Sequence, residues 1–192
     1  MIVIAENHHL MKAIAKATKG LIGKLCWGVE WDRQLNMSIS FGEPKLRIRE
    51  PYVSKSRQRR IQENALKRRV TVKGEWWLWI FCAYWRIIIP NGVTARNTSS
   101  LQMKRRAMAC LDGQKLKHIH INARDSATEF GFDLGAILQV RRFRGDDSDV
   151  WTLYKPNGYV VGVRGDGTYT YARGKTPGDK VVPMTLKAPI SL

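Results

Sequence analysis

Apolar and polar residues alternate along most of this chain with a period of two. In the segment 37–41, Met37, Ile39 and Phe41 alternate with two serines, and the segments 29–32 and 45–49 repeat the alternation. This pattern is typical of strands that bury one face and expose the other. Turns are predicted at 32–36 and 42–44. The same signal predicts later strands at 70–72, 117–122, 128–133, 136–142, 150–154, 159–163 and 168–172.

The segment 76–89, WWLWIFCAYWRIII, departs from this alternation because almost every residue in it is apolar or aromatic. That composition is typical of a strand that packs on both of its faces. We therefore expect most of the seven Trp residues in the core. An exposed Trp-rich groove is the alternative.

Three segments are candidates for helices. Residues 10–19 combine helix formers with apolar residues at helical spacing, and Gly20 follows where a C-terminal cap belongs. Residues 99–110 begin with Ser99 and Ser100, either of which can cap a helix. Residues 58–69 fit either a helix or a mobile loop.

Two hairpins are predicted near the C-terminal end. Asn157-Gly158 and Asp166-Gly167 each lie between alternating apolar residues. Asn-Gly and Asp-Gly favour type I′ turns, whose two central residues both need a positive φ. The segment 150–172 is therefore predicted to be a three-stranded meander.

The chain also carries a repeat, in which a stretch opening with Leu21 and Gly23 matches one opening with Leu111 and Gly113. We interpret it as a duplicated three-stranded meander followed by a Trp-containing strand. The alternative is that any two meanders share alternation and a glycine. The matched positions are Val29, Trp31 and Asp32 with Ile119, Ile121 and Asn122, Ile39 and Phe41 with Phe130 and Phe132, Leu46 and Ile48 with Leu138 and Val140, and Trp76-x-Leu78-Trp79 with Trp151-x-Leu153-Tyr154.

These elements predict a mainly β (α+β) fold. Two duplicated antiparallel meanders pack as a sandwich or a half-open barrel, with a short N-terminal helix and one or two basic helices or loops. One compact domain is expected overall. Its predicted parts are a tail and short helix (1–20), a first β repeat (21–92) with a basic insertion (50–69), a basic connector or helix (93–110), a second β repeat (111–173) and an extended Pro-containing tail (174–192).

The second repeat resembles a loose group of small bacterial β-rich proteins of unknown function, some of them encoded near toxin–immunity loci. The residues that carry the resemblance are Leu111-x-Gly113, Phe132-Asp-Leu-Gly135, Trp151-x-Leu-Tyr154 and Gly165-Asp-Gly167-x-Tyr169. They span about residues 111–171, and the first repeat matches them more weakly. These are strand and turn residues, so the resemblance implies a fold rather than an activity. No functional residue is carried over from it.

The charge balance points to a partner. Lys and Arg number 33 against 16 Asp and Glu, a formal net charge of +17. The segment 45–73 holds eleven basic residues against Glu50 and Glu63, a net charge of +9, and 96–117 holds a second basic cluster. A small domain needs a net charge of only about 2–8 for solubility. Like charges concentrated in one segment repel unless a polyanion neutralises them.

The candidate partner-binding residues are basic side chains, because Arg and Lys contact phosphate. Tyr52, within the first cluster, is the candidate for stacking on an unpaired base. The alternative is a solvated face that only keeps the protein soluble. The candidate basic residues are Arg47, Arg49, Lys55, Arg57, Arg59, Arg60, Lys67, Arg68, Arg69, Lys104, Arg105, Arg106, Arg141, Arg142 and Arg144.

We therefore expect a non-enzymatic protein that binds nucleic acid, either RNA or single-stranded DNA, through its backbone. The alternative partner is an acidic protein surface, clamped by an immunity or inhibitor-type protein of a bacterial or phage conflict system. No hydrolase, phosphate-loop, zinc-protease or dinucleotide motif occurs in the sequence. His118 and His120 lie two apart on a predicted strand and are the weak alternative of a metal site. No cofactor is expected.

The compartment expected from the sequence is the cytoplasm. Cys26, Cys82 and Cys110 are widely spaced and odd in number, so we expect three buried thiols rather than disulfides or a zinc site. The longest apolar run falls short of the roughly 20 residues that a membrane-spanning helix needs. Met11 is an alternative start of the chain, and the sequence leaves the oligomeric state open.

Overall fold

A computed structural model of the chain describes residues 14–32, 36–90, 92, 94–122, 125–174 and 184–185. The predictions for Met11, for residues 10–13 and for most of the tail 174–192 lie outside the described residues. The described strands are β1 (Cys26–Trp31), β2 (Met37–Arg49), β3 (Arg69–Ile80), β4 (Ala83–Ile88), β5 (Thr94–Arg96), β6 (Leu116–Ile121), β7 (Thr128–Phe132), β8 (Ile137–Arg142), β9 (Asp149–Tyr154), β10 (Tyr159–Arg164), β11 (Thr168–Arg173) and β12 (Met184–Thr185).

The strands form two antiparallel sheets that pack together, which confirms the predicted mainly β sandwich. The first sheet has seven strands in the order β1-β2-β3-β9-β10-β11-β12, and the second has five in the order β5-β4-β8-β7-β6. Alternate residues of both sheets form one buried core, with Trp85, Trp151, Phe41 and Phe130 among its largest fully buried side chains. Burying this shared apolar layer is what stabilises the two sheets against each other.

The two repeats exchange strands between the sheets. The meander β1-β2-β3 lies in the first sheet and the meander β6-β7-β8 in the second. The next strand of each repeat crosses over, so that β4 pairs with β8 and β9 pairs with β3. Each sheet therefore contains strands from both repeats. The boundary between the repeats in sequence is not a boundary between two packed units.

The register corrects three of the expected equivalences. Leu138 pairs with Phe130, and Leu78 pairs with Ile39 in the same way, so the counterpart of Leu138 is Leu78 and not Leu46. Likewise the counterpart of Val140 is Ile80 rather than Ile48. The counterpart of Trp151 is Trp85 rather than Trp76, since Trp151 lies opposite Ile80 and Trp85 lies opposite Val140.

Reciprocal backbone hydrogen bonds relate the starts of the two repeats. The Gly23 amide donates to the Leu116 carbonyl at 2.7 Å, and the Gly113 amide donates to the Cys26 carbonyl at 2.8 Å. Both glycines have φ near 84°, in the left-handed region that favours glycine. Gly113 and Leu116 occupy the positions in the second repeat that Gly23 and Cys26 occupy in the first. The two hydrogen bonds therefore join equivalent positions in opposite directions, so the repeats are related by an approximate two-fold axis. This supports a true duplication over a chance likeness of meanders.

The apolar segment 76–89 is two strands and not one. β3 ends at Ile80 and β4 begins at Ala83, and between them Cys82 has a φ of 48°. The chain crosses from the first sheet to the second at this point, so a single ladder cannot continue through it. The expectation of three buried thiols is also wrong, because Cys82 is exposed and Cys110 is partly exposed, while Cys26 is buried.

The helices are short. Residues 14–18 are helical (α1) and lead into a 3-10 turn at Lys19–Leu21, in the region where a helix was predicted. α2 spans Arg59–Ala65 within the basic insertion, and α3 spans Leu101–Leu111. The Ser100 hydroxyl caps α3 by accepting a hydrogen bond from the Met103 amide at 3.3 Å. None of the described helices has the length and apolar character that crossing a bilayer requires.

Both predicted hairpins form, but their turn type differs from the expectation. The Gly158 amide donates to the Lys155 carbonyl, and the Gly167 amide donates to the Arg164 carbonyl. Each glycine has a φ near 80°, whereas the preceding Asn157 or Asp166 does not have a positive φ. A type I′ turn needs both, so these are longer hairpin loops that end in a left-handed glycine.

Candidate nucleic-acid interface

A basic arm extends from the first sheet where β2 and β3 continue past their neighbours. We define the arm as residues 44–74, comprising the ends of both strands and the segment with α2 between them. The pairing shifts between Phe41 and Pro44 and then continues to Arg49 opposite Arg69. Gly42–Pro44 was predicted to be a turn, but it is an irregularity within one continuous strand. Within the described part of the chain no second sheet covers the strands beyond it, and most of their side chains on both faces are exposed.

The two faces of the arm differ in chemistry. One face carries the directly opposed pair Lys45 and Lys73, with Arg47 beside them. The other face carries exposed apolar side chains. Those are Leu46 (67% exposed), Ile48 (58%), Val70 (55%) and Val72 (50%). The strand alternation that predicted a half-buried strand thus produces an exposed ribbon with one cationic and one apolar face.

At the tip of the arm, α2 is held by one backbone hydrogen bond and one arginine side chain. The Tyr52 amide donates to the Ala65 carbonyl at 2.9 Å, and an Arg49 guanidinium nitrogen donates to the Asn64 carbonyl at 2.6 Å. Arg68 pairs with Glu50 at 2.8 Å. The segment 58–69 thus contains a helix, which is the first of its two predicted alternatives.

Tyr52, the predicted stacking residue, is 49% exposed and lies under the Arg49 guanidinium, 5.6 Å from its carbon to the ring centroid. Arg59 is paired with Glu63 at 2.7 Å. Lys73 lies 3.8 Å from a Glu30 carboxylate oxygen. Seven other basic residues of the arm form no ion pair within the described chain, namely Lys45, Arg47, Lys55, Arg57, Arg60, Lys67 and Arg69.

A set of stacked aromatic rings continues the cationic face of the arm onto the outer surface of the first sheet. The ring centroids of Trp77 and Tyr154 are 4.8 Å apart, and those of Trp77 and Trp79 are 6.0 Å apart. The Lys73 ammonium lies 4.9 Å from the Trp77 ring centroid and the Arg47 guanidinium 5.8 Å from it. We call these five residues the aromatic–cationic face. Cations at this distance over an indole are electrostatically favourable.

The rings of this face are half-buried, and their burial affects the polar atoms of Tyr154 and Trp77. Burial raises the pKa of the Tyr154 hydroxyl, an effect that the positive charge of Arg47 partly offsets. The hydroxyl is therefore neutral at physiological pH. The Trp77 Nε1 atom is buried and finds no hydrogen-bond acceptor among the described residues.

The sequence analysis favours the core for most Trp residues and gives an exposed Trp-rich groove only as the alternative, so it does not identify which Trp residues form the aromatic–cationic face. Residue parity contained the missing signal. Trp77 and Trp79 share a strand face with Lys73 and Glu75, whereas Trp76, Leu78 and Ile80 share the other. A charged residue two or four positions before an aromatic one on a regular strand indicates that both point outwards. Tyr154 could be placed beside Trp77 only from the pairing of β3 with β9.

The other predicted basic residues lie elsewhere. Arg105 and Arg106 are exposed and Lys104 is partly exposed on α3, which packs beside β1, β4 and β5. Arg141 lies opposite Tyr84 on the outer surface of the second sheet, across the sandwich from the aromatic–cationic face. Arg142 is paired with Asp147 at 2.8 Å. The cluster Arg141, Arg142 and Arg144 is thus not part of the surface that the arm forms.

The two candidate metal ligands also lie on the outer surface of the second sheet. His118 lies opposite Gly131, and His120 lies opposite Glu129. The His118 Nε2 atom is 3.6 Å from a Glu129 carboxylate oxygen. Among the described residues, no three His, Cys, Asp or Glu side chains converge as a metal site would require.

Comparisons of the chain with protein-family models, with curated proteins and with solved structures find no match. Inferences about its function therefore depend on the chemistry of its own surface. The most distinctive part of that surface is the aromatic–cationic face together with the arm.

Proposed function

We propose that this protein is a non-enzymatic binding protein for single-stranded nucleic acid, either RNA or DNA. The observation that supports this best is the stacking of Trp77 with Trp79 and Tyr154 under the cations Arg47 and Lys73. Proteins that bind single strands combine a positively charged track for the backbone with aromatic rings for the bases.

The arm supplies the charge for the phosphates. Seven of its basic residues form no ion pair within the described chain. Its two acidic residues, Glu50 and Glu63, are each paired with an arginine of the arm. The net charge of the arm is +9. Neutralising phosphates with these residues releases counterions, which favours binding and makes it sensitive to salt.

The aromatic rings favour an unpaired strand over a duplex. In a duplex the base faces are stacked on each other and are closed to side chains, whereas unpaired bases can stack on Trp and Tyr rings. Trp77, Trp79 and Tyr154 lie side by side on adjacent strands, so successive bases can follow them along the sheet. Cationic residues at the arm end of this row would meet the phosphates that join those bases.

The exposed apolar face of the arm favours a second candidate function. Leu46, Ile48, Val70 and Val72 are each at least half exposed. Contiguous apolar patches on a surface commonly mark protein interfaces. An immunity or inhibitor-type protein that clamps an acidic protein partner would use this patch together with the surrounding charge. In that case the Leu46→Ser and Val72→Ser substitutions would abolish partner binding and leave oligonucleotide binding intact.

Fluorescence anisotropy tests the proposed function. Labelled single-stranded RNA, single-stranded DNA and duplex DNA of equal length are titrated with the protein at about 50 and about 200 mM salt. The proposal predicts tighter binding of single strands than of the duplex and a steep loss of affinity at the higher salt. Absence of binding at the lower salt, or a preference for the duplex, would overturn it.

A further inference from the structure

The outer surface of the second sheet contains a trough that the proposed function does not use. Its volume is about 630 Å³, within the range of small-molecule sites, roughly 300–1,000 Å³. It lies across the sandwich from the aromatic–cationic face, because Arg86, Gln139 and Glu129 on its floor point away from the shared core. The trough is therefore a separate site from the aromatic–cationic face.

Three arginines line the trough without a counter-charge. Arg86 on β4 lies directly opposite Arg96 on β5, and Arg141 lies on the neighbouring strand β8. Like charges directly opposite each other in a strand pair destabilise the sheet. Within the described chain, no carboxylate lies within 4.0 Å of any of the three guanidinium groups.

One donor of this cluster is buried and unpaired. The Arg86 Nε atom is inaccessible to solvent and has no hydrogen-bond partner among the described residues. Buried donors are almost always paired, because a lost hydrogen bond to water is otherwise not replaced. An acceptor from a bound ligand would remove this cost and the repulsion between Arg86 and Arg96 together.

Glu129, the one carboxylate among the described residues that line the trough, is engaged elsewhere. Glu129 accepts a hydrogen bond from the Gln139 amide at 3.0 Å, and its other oxygen faces the His118 ring at 3.6 Å. It therefore does not neutralise the arginines. Three arginines against one glutamate give the described lining of the trough a formal charge of about two positive units, which suits a dianion.

The position of Arg96 is fixed by its neighbour Asn97. The buried Asn97 side chain accepts a hydrogen bond from the Trp85 amide at 2.7 Å and donates one to the Ala83 carbonyl at 3.0 Å. These bonds hold the turn after β5 against β4. The backbone at Arg96 is therefore held against β4, opposite Arg86.

We propose that this trough binds a phosphate monoester, with Arg86 and Arg96 as the principal contacts and Arg141 closing the site. The planar guanidinium group donates paired hydrogen bonds that match phosphate oxygens. A phosphate dianion supplies the acceptors that the Arg86 Nε atom lacks and offsets the charge of the opposed pair. The ester could belong to a free mononucleotide or to the 5′ end of a nucleic-acid strand.

Calorimetric titration with inorganic phosphate, AMP and adenosine tests this proposal. We expect phosphate and AMP to bind and adenosine not to bind. Removing one charge-assisted contact with Arg86→Gln should weaken AMP binding about tenfold to a hundredfold. Arg96→Gln, at an exposed position, should have a similar effect and serves as the second variant if Arg86→Gln fails to fold.

Arg144→Gln is the matched control, because Arg144 is an exposed arginine outside the trough. Equal losses in Arg144→Gln and Arg96→Gln, equal binding of adenosine and AMP, or no binding of AMP or phosphate at millimolar concentration would overturn the proposal. Trp77→Ala should leave AMP binding unchanged, which separates this site from the proposed function. Comparing 5′-phosphorylated with 5′-hydroxyl oligonucleotides then identifies the source, since only a strand-end site favours the phosphorylated form.

Discussion

The rings of Trp77 and Tyr154 stack with their centroids 4.8 Å apart, although the two residues belong to different repeats. They meet because β9 of the second repeat pairs with β3 of the first, which places Tyr154 opposite Trp77. The exchange of strands between the sheets therefore builds the aromatic–cationic face. Neither repeat could form it alone.

Replacing Trp77 with Ala should weaken the binding of single-stranded oligonucleotides about 5-fold to 150-fold. A base stacked on an aromatic ring contributes about 1–3 kcal/mol, and Trp77 is the ring that contacts both of its neighbours. Anisotropy titration measures the loss, and circular dichroism checks the fold. Tyr84→Ala is the control, because Tyr84 is a 48% exposed aromatic residue on the other sheet. An equal loss in both variants would argue against the assignment of the face.

Removing the two cations over Trp77 should change the salt dependence of binding. Each phosphate neutralised on a single strand contributes about 0.7 to the slope of log affinity against log salt, so Arg47→Ala with Lys73→Ala should reduce it by about 1.4. Anisotropy titrations at four or more salt concentrations give the slope. Lys117→Ala, which removes an exposed lysine on β6, should leave the slope unchanged. A slope unaffected by the double substitution would show that phosphates do not contact these residues.

Trp85→Ala and Trp151→Ala should each lower the free energy of unfolding by about 3–5 kcal/mol, because both residues are almost fully buried in equivalent positions. The Trp151 substitution should lower the free energy of unfolding by more than the loss of side-chain volume alone predicts. It also removes the indole N–H that donates to the Thr128 hydroxyl at 2.8 Å across the sandwich. Urea denaturation measures both values. Values below about 1 kcal/mol would contradict the placement of these residues in the shared core.

Deprotonation of Asp149 should lower the free energy of unfolding as the pH rises from the acid range. Burial raises the pKa of this carboxyl above its ordinary value of 3.8, although Arg164 partly offsets the effect. The folded protein therefore holds this proton more tightly than the unfolded chain. The contribution of the protonated form is complete below pH 3.8 and is lost as the pH rises through the higher folded value.

Asp149→Asn removes this titration, so the stability of the variant relative to the natural chain should increase between pH 3.5 and pH 7. Urea denaturation at the two pH values measures the difference. The exposed Asp147→Asn provides the comparison, because Asp147 lies on the surface beside Arg142. If Asp149→Asn lost stability relative to the natural chain over this range, the direction of the pKa shift would be wrong.

The sequence predicted the sandwich because alternation reports which face of a strand is buried, and the Leu-x-Gly starts of the two repeats indicated a duplication, with a chance likeness of meanders as the alternative. It did not predict the exchange of strands, since pairing between β3 and β9 depends on contacts that are distant in the chain. The equivalence of Trp76 with Trp151 was wrong for the same reason. Similar residue types in the two repeats suggested that equivalence, whereas the strand pairing makes Trp85 the counterpart of Trp151.

The basic arm was identified from charge alone, but its geometry was not. Charge counting treats Arg47 and Arg68 alike, whereas Arg68 is paired with Glu50 and Arg47 lies over Trp77. The rings of the candidate site were assigned to the core, because hydrophobicity alone does not distinguish Trp76 from Trp77. Strand parity separates them, since Trp76 is buried whereas Trp77 lies on the partly exposed face of β3.

The central claim is that bases stack on the aromatic–cationic face, and abasic oligonucleotides test it most directly. A thymidine oligonucleotide and an abasic oligonucleotide of equal length carry the same phosphates, so they share the electrostatic contribution to binding. The account predicts that the natural chain binds the thymidine strand at least about fivefold more tightly and that Trp77→Ala reduces this preference. Equal affinities for the two strands in the natural chain would contradict it.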